Sequence, residues 1–135
     1  MPYFSNADEV YNYIGGVFRA AAEHPEIGPK MAAANVNLQI YYSEPESKIT
    51  IHFTEPKLTV EDGGDDPNAD VKLFMTADIA DKYWRGEYNL SVGLAKGQVK
   101  AKGPVNKILK LVPLTKPLFP MYRERVAEKD AAAAV

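Results

Sequence analysis

The chain contains no cysteine, which excludes disulfides, thiolate nucleophiles and cysteine-ligated metals. It holds two histidines, His24 and His52, and one tryptophan, Trp84. Few side chains are therefore left for imidazole chemistry. No apolar run approaches the roughly 18 residues that a membrane-spanning helix needs. The first residues lack the basic flank and apolar stretch of a secretory signal. The alanines and Val135 at the other end lack a Ser-Lys-Leu peroxisomal address. The expected compartment is the cytoplasm. A formal charge of -2 argues against nucleic acid as a partner, because neutralising phosphates takes a basic surface.

The composition that remains is 46% hydrophobic and 25% charged over 135 residues, which is enough for one compact soluble domain. The expected boundaries are residues 1–130 for that domain and 131–135 for a disordered alanine-rich tail. The small net charge hides an asymmetry. Lys96, Lys100, Lys102, Lys107, Lys110 and Lys116 stand in residues 96–116 with no acid, whereas Glu55, Glu61, Asp62, Asp65, Asp66 and Asp70 crowd residues 54–70 against Lys57 alone.

Ser5 or Asn6 can cap a first helix, whose buried stripe is Val10, Ile14, Val17, Phe18 and Ala21. His24-Pro25 ends it, and Pro29 opens a short helical turn. Period two follows. Val36, Leu38, Ile40 and Tyr42 alternate with Asn35, Asn37, Gln39 and Tyr41, predicting a strand with one apolar and one wet face. Ile49, Ile51 and Phe53, then Leu58 and Val60, repeat the pattern as an antiparallel meander. An acidic loop leads to a fourth strand at Val71, Leu73 and Met75. Thr76 caps a helix bearing Ile79, Tyr83 and Trp84 that stops at Gly86. Asn89 to Lys96 reads as either strand or helix. Gln98 to Lys102 is a fifth strand with Lys100 and Lys102 toward water. Gly103-Pro104 turns the chain into a helix with Ile108, Leu109 and Leu111 inside. Pro113, Pro117 and Pro120 precede a last helix around Met121 to Glu128. The fold class is α+β: a single-layer, five-stranded, mostly antiparallel sheet with helices covering one face.

Three segments in this order, "HPEIGPKM", "ADVKLFMTADIADKYWRGEYN" and "AKGQVKAKGPVNKILKLVPL", resemble the sterol carrier protein type two family of lipid-binding domains. The resemblance runs from about Glu26 to Leu114. It implies a hydrophobic chamber between sheet and helices that holds a sterol, fatty acid, fatty acyl-CoA or phospholipid, in a domain that carries lipid and catalyses nothing. Expected chamber walls are Ile40, Phe53, Leu73 and Met75 from the strands, with Ile79, Tyr83, Trp84, Leu94, Ile108, Leu111, Leu118 and Met121 from the cover. Any of these would serve equally as closed core. An open pocket of about 300 Å³ would cost near 7 kcal/mol if left unfilled, so an apolar occupant should stabilise the fold.

Lys100, Lys102 and Lys107 could meet anionic headgroups or acyl-CoA phosphates, or form an ordinary solvated face. Phe74, on the opposite parity from Leu73, is either an exposed aromatic or cover for a dimer contact, so the protein is a monomer or a homodimer. Other expected partners are a membrane surface, met transiently, or a lipid-metabolising enzyme.

No nucleophile motif, phosphate-binding glycine loop or zinc spacing is present, and no cofactor or metal is expected. The acidic loop lacks the EF-hand spacing and reads as a solvated connection. Two alternatives remain: an accessory or dimerisation module presenting lipid to an enzyme, and a small steroid- or lipid-processing enzyme resembling ketosteroid isomerases. The second needs an acid inside an apolar pocket. The carboxylates here cluster in loops, and no inward acid accompanies Tyr42, Tyr83 and Tyr88, which could supply an oxyanion donor.

Overall fold

The computed structural model describes residues 2–133. Asn6 is the first cap, its Oδ1 accepting the Glu9 N–H at 3.0 Å, and Asp8 and Glu9 sit at the positive end of the helix. The helical run comprises α1 (Ala7–Val10), a π turn (Tyr11–Gly15) and α2 (Gly16–Glu23), and it buries the whole predicted stripe. The turn contains Gly15, and Gly16 follows it. A Cβ at Gly15 would lie 2.5 Å from Asp62 Oδ1, and one at Gly16 would meet the Arg125 guanidinium, so a side chain at either position would displace the end of a charged side chain packed against the helix. His24 Nδ1 accepts the Glu26 and Ile27 N–H groups at 3.2 and 3.1 Å and thereby starts α3 (Ile27–Ala32).

The five strands are β1 (Val36–Ser43), β2 (Ser47–Phe53), β3 (Thr59–Asp62), β4 (Val71–Thr76) and β5 (Lys100–Lys102), in spatial order β3-β2-β1-β4-β5. The β1–β2, β2–β3 and β4–β5 pairs are antiparallel and β1–β4 is parallel. Leu38 pairs with Ile51 and Val71, and Ile40 with Ile49 and Leu73. The apolar alternation therefore becomes one continuous inner face. β5 is shorter than predicted, starting at Lys100, with Val99 buried just before it.

The outer face is not uniformly wet. To reach β4 beside β1, the chain leaving β3 must cross β2 and β1, and the acidic loop does so over this face. Gln39 and Thr50 are fully buried beneath it. Gln39 Oε1 accepts the Asp66 N–H at 2.7 Å and lies 2.7 Å from Thr50 Oγ1, while Nε2 donates to Gly64 O at 3.1 Å and Ile49 O at 3.2 Å. Every polar valence of the amide is met, the condition for burying it cheaply. Tyr41 donates to Asp65 at 2.8 Å and stacks on Phe74, with ring centroids 5.0 Å apart. The loop predicted to be a solvated connection is thus partly a cover.

The remaining helices are α4 (Ala77–Trp84), α5 (Leu90–Ala95), α6 (Val105–Leu109), α7 (Val112–Thr115) and α8 (Phe119–Ala133), with a 3₁₀ turn at Lys116–Leu118. Thr76 caps α4 as expected. The ambiguous segment is helical because Asn89 Oδ1 accepts the Val92 N–H at 3.1 Å. Pro113, Pro117 and Pro120 each occupy the opening turn of a helical piece, where a missing N–H costs nothing. Gly103, at φ 94°, makes the strand-to-helix turn, and any Cβ there would collide with the Asp70 carbonyl. α8 continues through Ala133, so residues 131–133 are helical where a disordered tail is expected; 134–135 lie outside the described residues. Among the described residues no helix is long and apolar enough to cross a membrane.

One carboxylate departs from the expectation that no acid points inward. Asp81 on α4 is buried, receiving the Tyr122 hydroxyl at 2.7 Å and Arg85 Nε at 2.9 Å. Arg85 also reaches Asp130 at 3.4 Å, and Tyr3 donates to Asp130 at 2.5 Å. This network fastens α8 and the N-terminal segment to α4.

Candidate functional site

Between the inner sheet face and the helices lies a cavity of about 70 Å³. β1 supplies Leu38, Ile40 and Tyr42, β2 supplies Phe53, and β4 supplies Leu73 and Met75. Phe18 of α2, Met31 of α3, Ile79, Ala80, Tyr83 and Trp84 of α4, Leu90 of α5, Ile108 of α6, and Val112 and Thr115 of α7 complete the wall with Tyr88 and Leu111. Trp84 is held edge-on by Phe18, Tyr83 and Phe119 at centroid distances of 5.2, 5.2 and 6.2 Å. Such edge-to-face contacts fix ring orientation as well as burying area.

The structure brings Ile40, Phe53, Leu73, Met75, Ile79, Tyr83, Trp84, Ile108 and Leu111 together around this cavity. Three expected wall residues lie elsewhere. Leu94 faces an outer groove with Phe74, Gly97, Val99 and Ala101 between Lys100 and Lys102. Leu118 is sealed in the core away from the cavity. Met121 lines a polar surface groove with Asn12, Tyr13, Glu124, Arg125 and Glu128. The reason is register: α8 buries Tyr122 and Val126, which turns Met121 outward. Leu38 and Tyr42 share the parity of Ile40, and Phe18 lies on the first helix stripe, so the signal for these wall residues was present. Thr115, Tyr88 and Val112 had none, since only the tertiary fold delivers them.

No lysine, arginine, histidine, aspartate or glutamate lines the cavity. The wall residues that carry a polar side-chain atom are Tyr42, Tyr83, Trp84, Tyr88 and Thr115. Thr115 Oγ1 donates to Val112 O at 2.6 Å, so Tyr83, 2.7 Å away, donates to Thr115. Burial pushes the Tyr42 phenol far above its ordinary pKa and raises that of Tyr83. Both remain protonated donors at neutral pH. Asp81, the one buried acid among the described residues, is absent from the wall and faces the α8 clamp.

Tyr83, Tyr88, Leu90 and Val112 also line an outer groove with Asn89, Leu109, Pro113, Lys116 and Phe119. These four side chains stand between the cavity and the exterior. Val92 of the neighbouring α5 is 45% exposed, alone among the large hydrophobics described. Lys100, Lys102 and Lys107 are exposed. None is ion-paired among the described residues, although the Lys102 ammonium sits 5.8 Å from the Phe74 ring centre. His52 contacts Asn37 at 2.6 Å and Glu61 at 3.3 Å on the outer face, and His24 caps α3. Neither approaches the cavity. Among the described residues no group of three or more metal-ligating side chains gathers.

A mixed five-stranded sheet with helices closing an apolar cavity over one face is the architecture of an α+β sterol-carrier domain. The sequence model of the SCP-2 sterol transfer family matches residues 18–116, and the chain belongs to that family. No curated protein matches it in sequence. Among solved structures, it is similar to the sterol carrier protein domain 2 of Helicoverpa armigera, with 18% identity, TM-score 0.66, and 83% of this chain and 89% of that chain covered. It is also similar to sterol carrier protein 2 from Yarrowia lipolytica, with 20% identity, TM-score 0.62 and coverage of 76% and 87%. A third likeness is to the stereoselective inverting sec-alkylsulfatase Pisa1 from Pseudomonas sp., with 22% identity and TM-score 0.57. There 63% of this chain matches only 14% of the sulfatase.

Proposed function

We propose that this domain is a non-catalytic lipid carrier that holds the apolar body of a lipid in the cavity and exchanges it at the lysine-bearing face. The observation that carries the reading is a cavity walled by apolar and aromatic groups, without a charged side chain, in a fold of the sterol transfer family. A space of about 70 Å³ is smaller than a lipid. By the cavity slope it costs about 2 kcal/mol, against near 7 for an open pocket of about 300 Å³. Walls drawn together are therefore favoured until a chain fills the space, each buried methylene then contributing about 0.8 kcal/mol. Tyr83, Tyr88, Leu90 and Val112 are the side chains that must part.

The test is a thermal melt with saturating sterol, long-chain alcohol, fatty acid and acyl-CoA. A ligand at one hundred times its Kd adds about 2.7 kcal/mol, so Tm should rise by roughly 8 °C for at least one of them. No shift with any would refute carriage. A second reading rests on the sulfatase, where a comparable fold is a small part of a larger enzyme: the domain would present lipid to a partner. Light scattering and co-purification with a stable partner would support it.

A further inference from the structure

Five polar side chains reach the cavity wall, and they divide into two sets. Tyr83, Thr115 and Tyr88 are closed within the protein: Tyr83 bonds Thr115 at 2.7 Å, Thr115 bonds Val112 O at 2.6 Å, and Tyr88 bonds Gln98 at 2.8 Å. Tyr42 and Trp84 are not. They are 5% and 4% exposed, yet among the described residues the Tyr42 hydroxyl and the Trp84 indole N–H meet no acceptor. Neither atom is sealed off, because no fully enclosed side-chain nitrogen or oxygen is left without a partner. Each is a donor on a side chain more than nine-tenths buried that keeps some accessible surface. Buried donors normally find a partner, and leaving one unpaired costs stability.

The two donors come from opposite walls. Tyr42 stands near the end of β1, opposite Ser47 on β2 and Met75 on β4. Trp84 closes α4, between Phe18 and Phe119. Both offer a neutral N–H or O–H. With no cation on the wall, an ionised carboxylate or phosphate drawn inside would lose its hydration without a counter-charge. A pure hydrocarbon would leave both donors unpaired. A neutral oxygen, from a hydroxyl, ketone or ester, satisfies them at no charge cost.

We propose that Tyr42 and Trp84 set the specificity of the chamber for a neutral lipid bearing an oxygen acceptor on its apolar body. This rests on the carrier reading, and the experiment separates the two. The intact chain is loaded with diphenylhexatriene, a fluorescent hydrocarbon with no polar atom, and displaced with 2-dodecanone, dodecane or dodecanoate at pH 8. One hydrogen bond from a buried neutral donor corresponds to about a tenfold change in affinity. The ketone should therefore displace the probe at about tenfold lower concentration than the alkane, and ahead of the carboxylate. Tyr42→Phe and Trp84→Phe should each cut the ketone-to-alkane preference by roughly five- to tenfold. The melting temperature of Tyr42→Phe should be no lower than that of the parent, because the hydroxyl serves no fold contact.

Equal ketone-to-alkane ratios in the parent and both variants overturn the proposal while leaving carriage intact, and would assign the donors to a bound water. Dodecanoate binding as tightly as the ketone, unaffected by Tyr42→Phe, also overturns it, as does unfolding of that variant. Failure of the chain to take up the hydrocarbon, the ketone and the alkane alike overturns both readings.

Discussion

A carboxylate taken out of water survives only where donors surround it, and Asp81 is such a group. Burial raises its pKa, while the Tyr122 hydroxyl and the Arg85 guanidinium pull it back. Glu9 and Asp130 show the opposite sign. The Ser5 N–H and Lys129 lower Glu9, and the Tyr3 hydroxyl and Arg85 lower Asp130, each against a smaller opposing effect of burial. A raised folded-state value means that stability is fully present below the unfolded value of about 3.9 and is lost as pH rises through the folded one. A lowered value means that stability is present above the unfolded value and is lost as pH falls through the folded one. Urea unfolding at pH 3 and pH 7 should therefore show the parent gaining on Asp81→Asn as pH falls, and losing ground to Asp130→Asn over the same interval. The reverse pair of slopes would contradict the buried clamp. None of this was legible in the sequence. Period and propensity place Asp81 on a helix, but its partners come from residues four and 41 positions away. The period likewise assigns Gln39 and Thr50 to the wet face, because alternation assigns a face and says nothing of a loop that folds over it.

At the scale of elements, most of the order was legible. Apolar repeats of two and of three to four gave the meander, the fourth strand, α4 and α6. Asn89 decided α5 through a cap that a six-residue stretch shows only weakly. The end of the chain was harder: three prolines suggest interruption, whereas each opens a new helical piece, and the register of α8 turns Met121 away from the cavity. The turn at Gly103 places exposed lysines on β5 and α6 in succession, and α5 before them offers the exposed Val92. A lysine near an anionic bilayer contributes about 1 kcal/mol. Removing two should weaken binding to phosphatidylserine vesicles roughly 30-fold, and reversing their charge by more. Lys100→Glu combined with Lys102→Glu is expected to lose at least that much at low salt, with the difference shrinking as salt screens it. The exposed Lys82, on α4, reversed in the same way, is the control. Equal losses for both variants would show net charge at work rather than this face.

For the whole molecule, the charge asymmetry and the cavity form one arrangement. Acidic residues gather on the β3 edge and on the loop over the outer sheet face, where Arg19 and Lys48 pair with Asp62 and Asp65. Among the described residues the lysines of residues 96–116 form no ion pair, and Lys100 and Lys102 lie on β5, the opposite edge of the sheet. The cavity's partition from the exterior, at Tyr83, Tyr88, Leu90 and Val112, comes from segments just before those lysines and, at Val112, from among them. The family and the sheet's inner wall were legible because strand parity fixes which side chains share a face. The volume was not, since it depends on how closely α5 and α7 approach. The most direct measurement is mass spectrometry of a solvent extract from the freshly purified, intact chain, quantified against protein. The account expects close to one neutral, oxygen-bearing lipid per chain. An extract free of lipid, from protein whose melt is unmoved by added lipid, would contradict it.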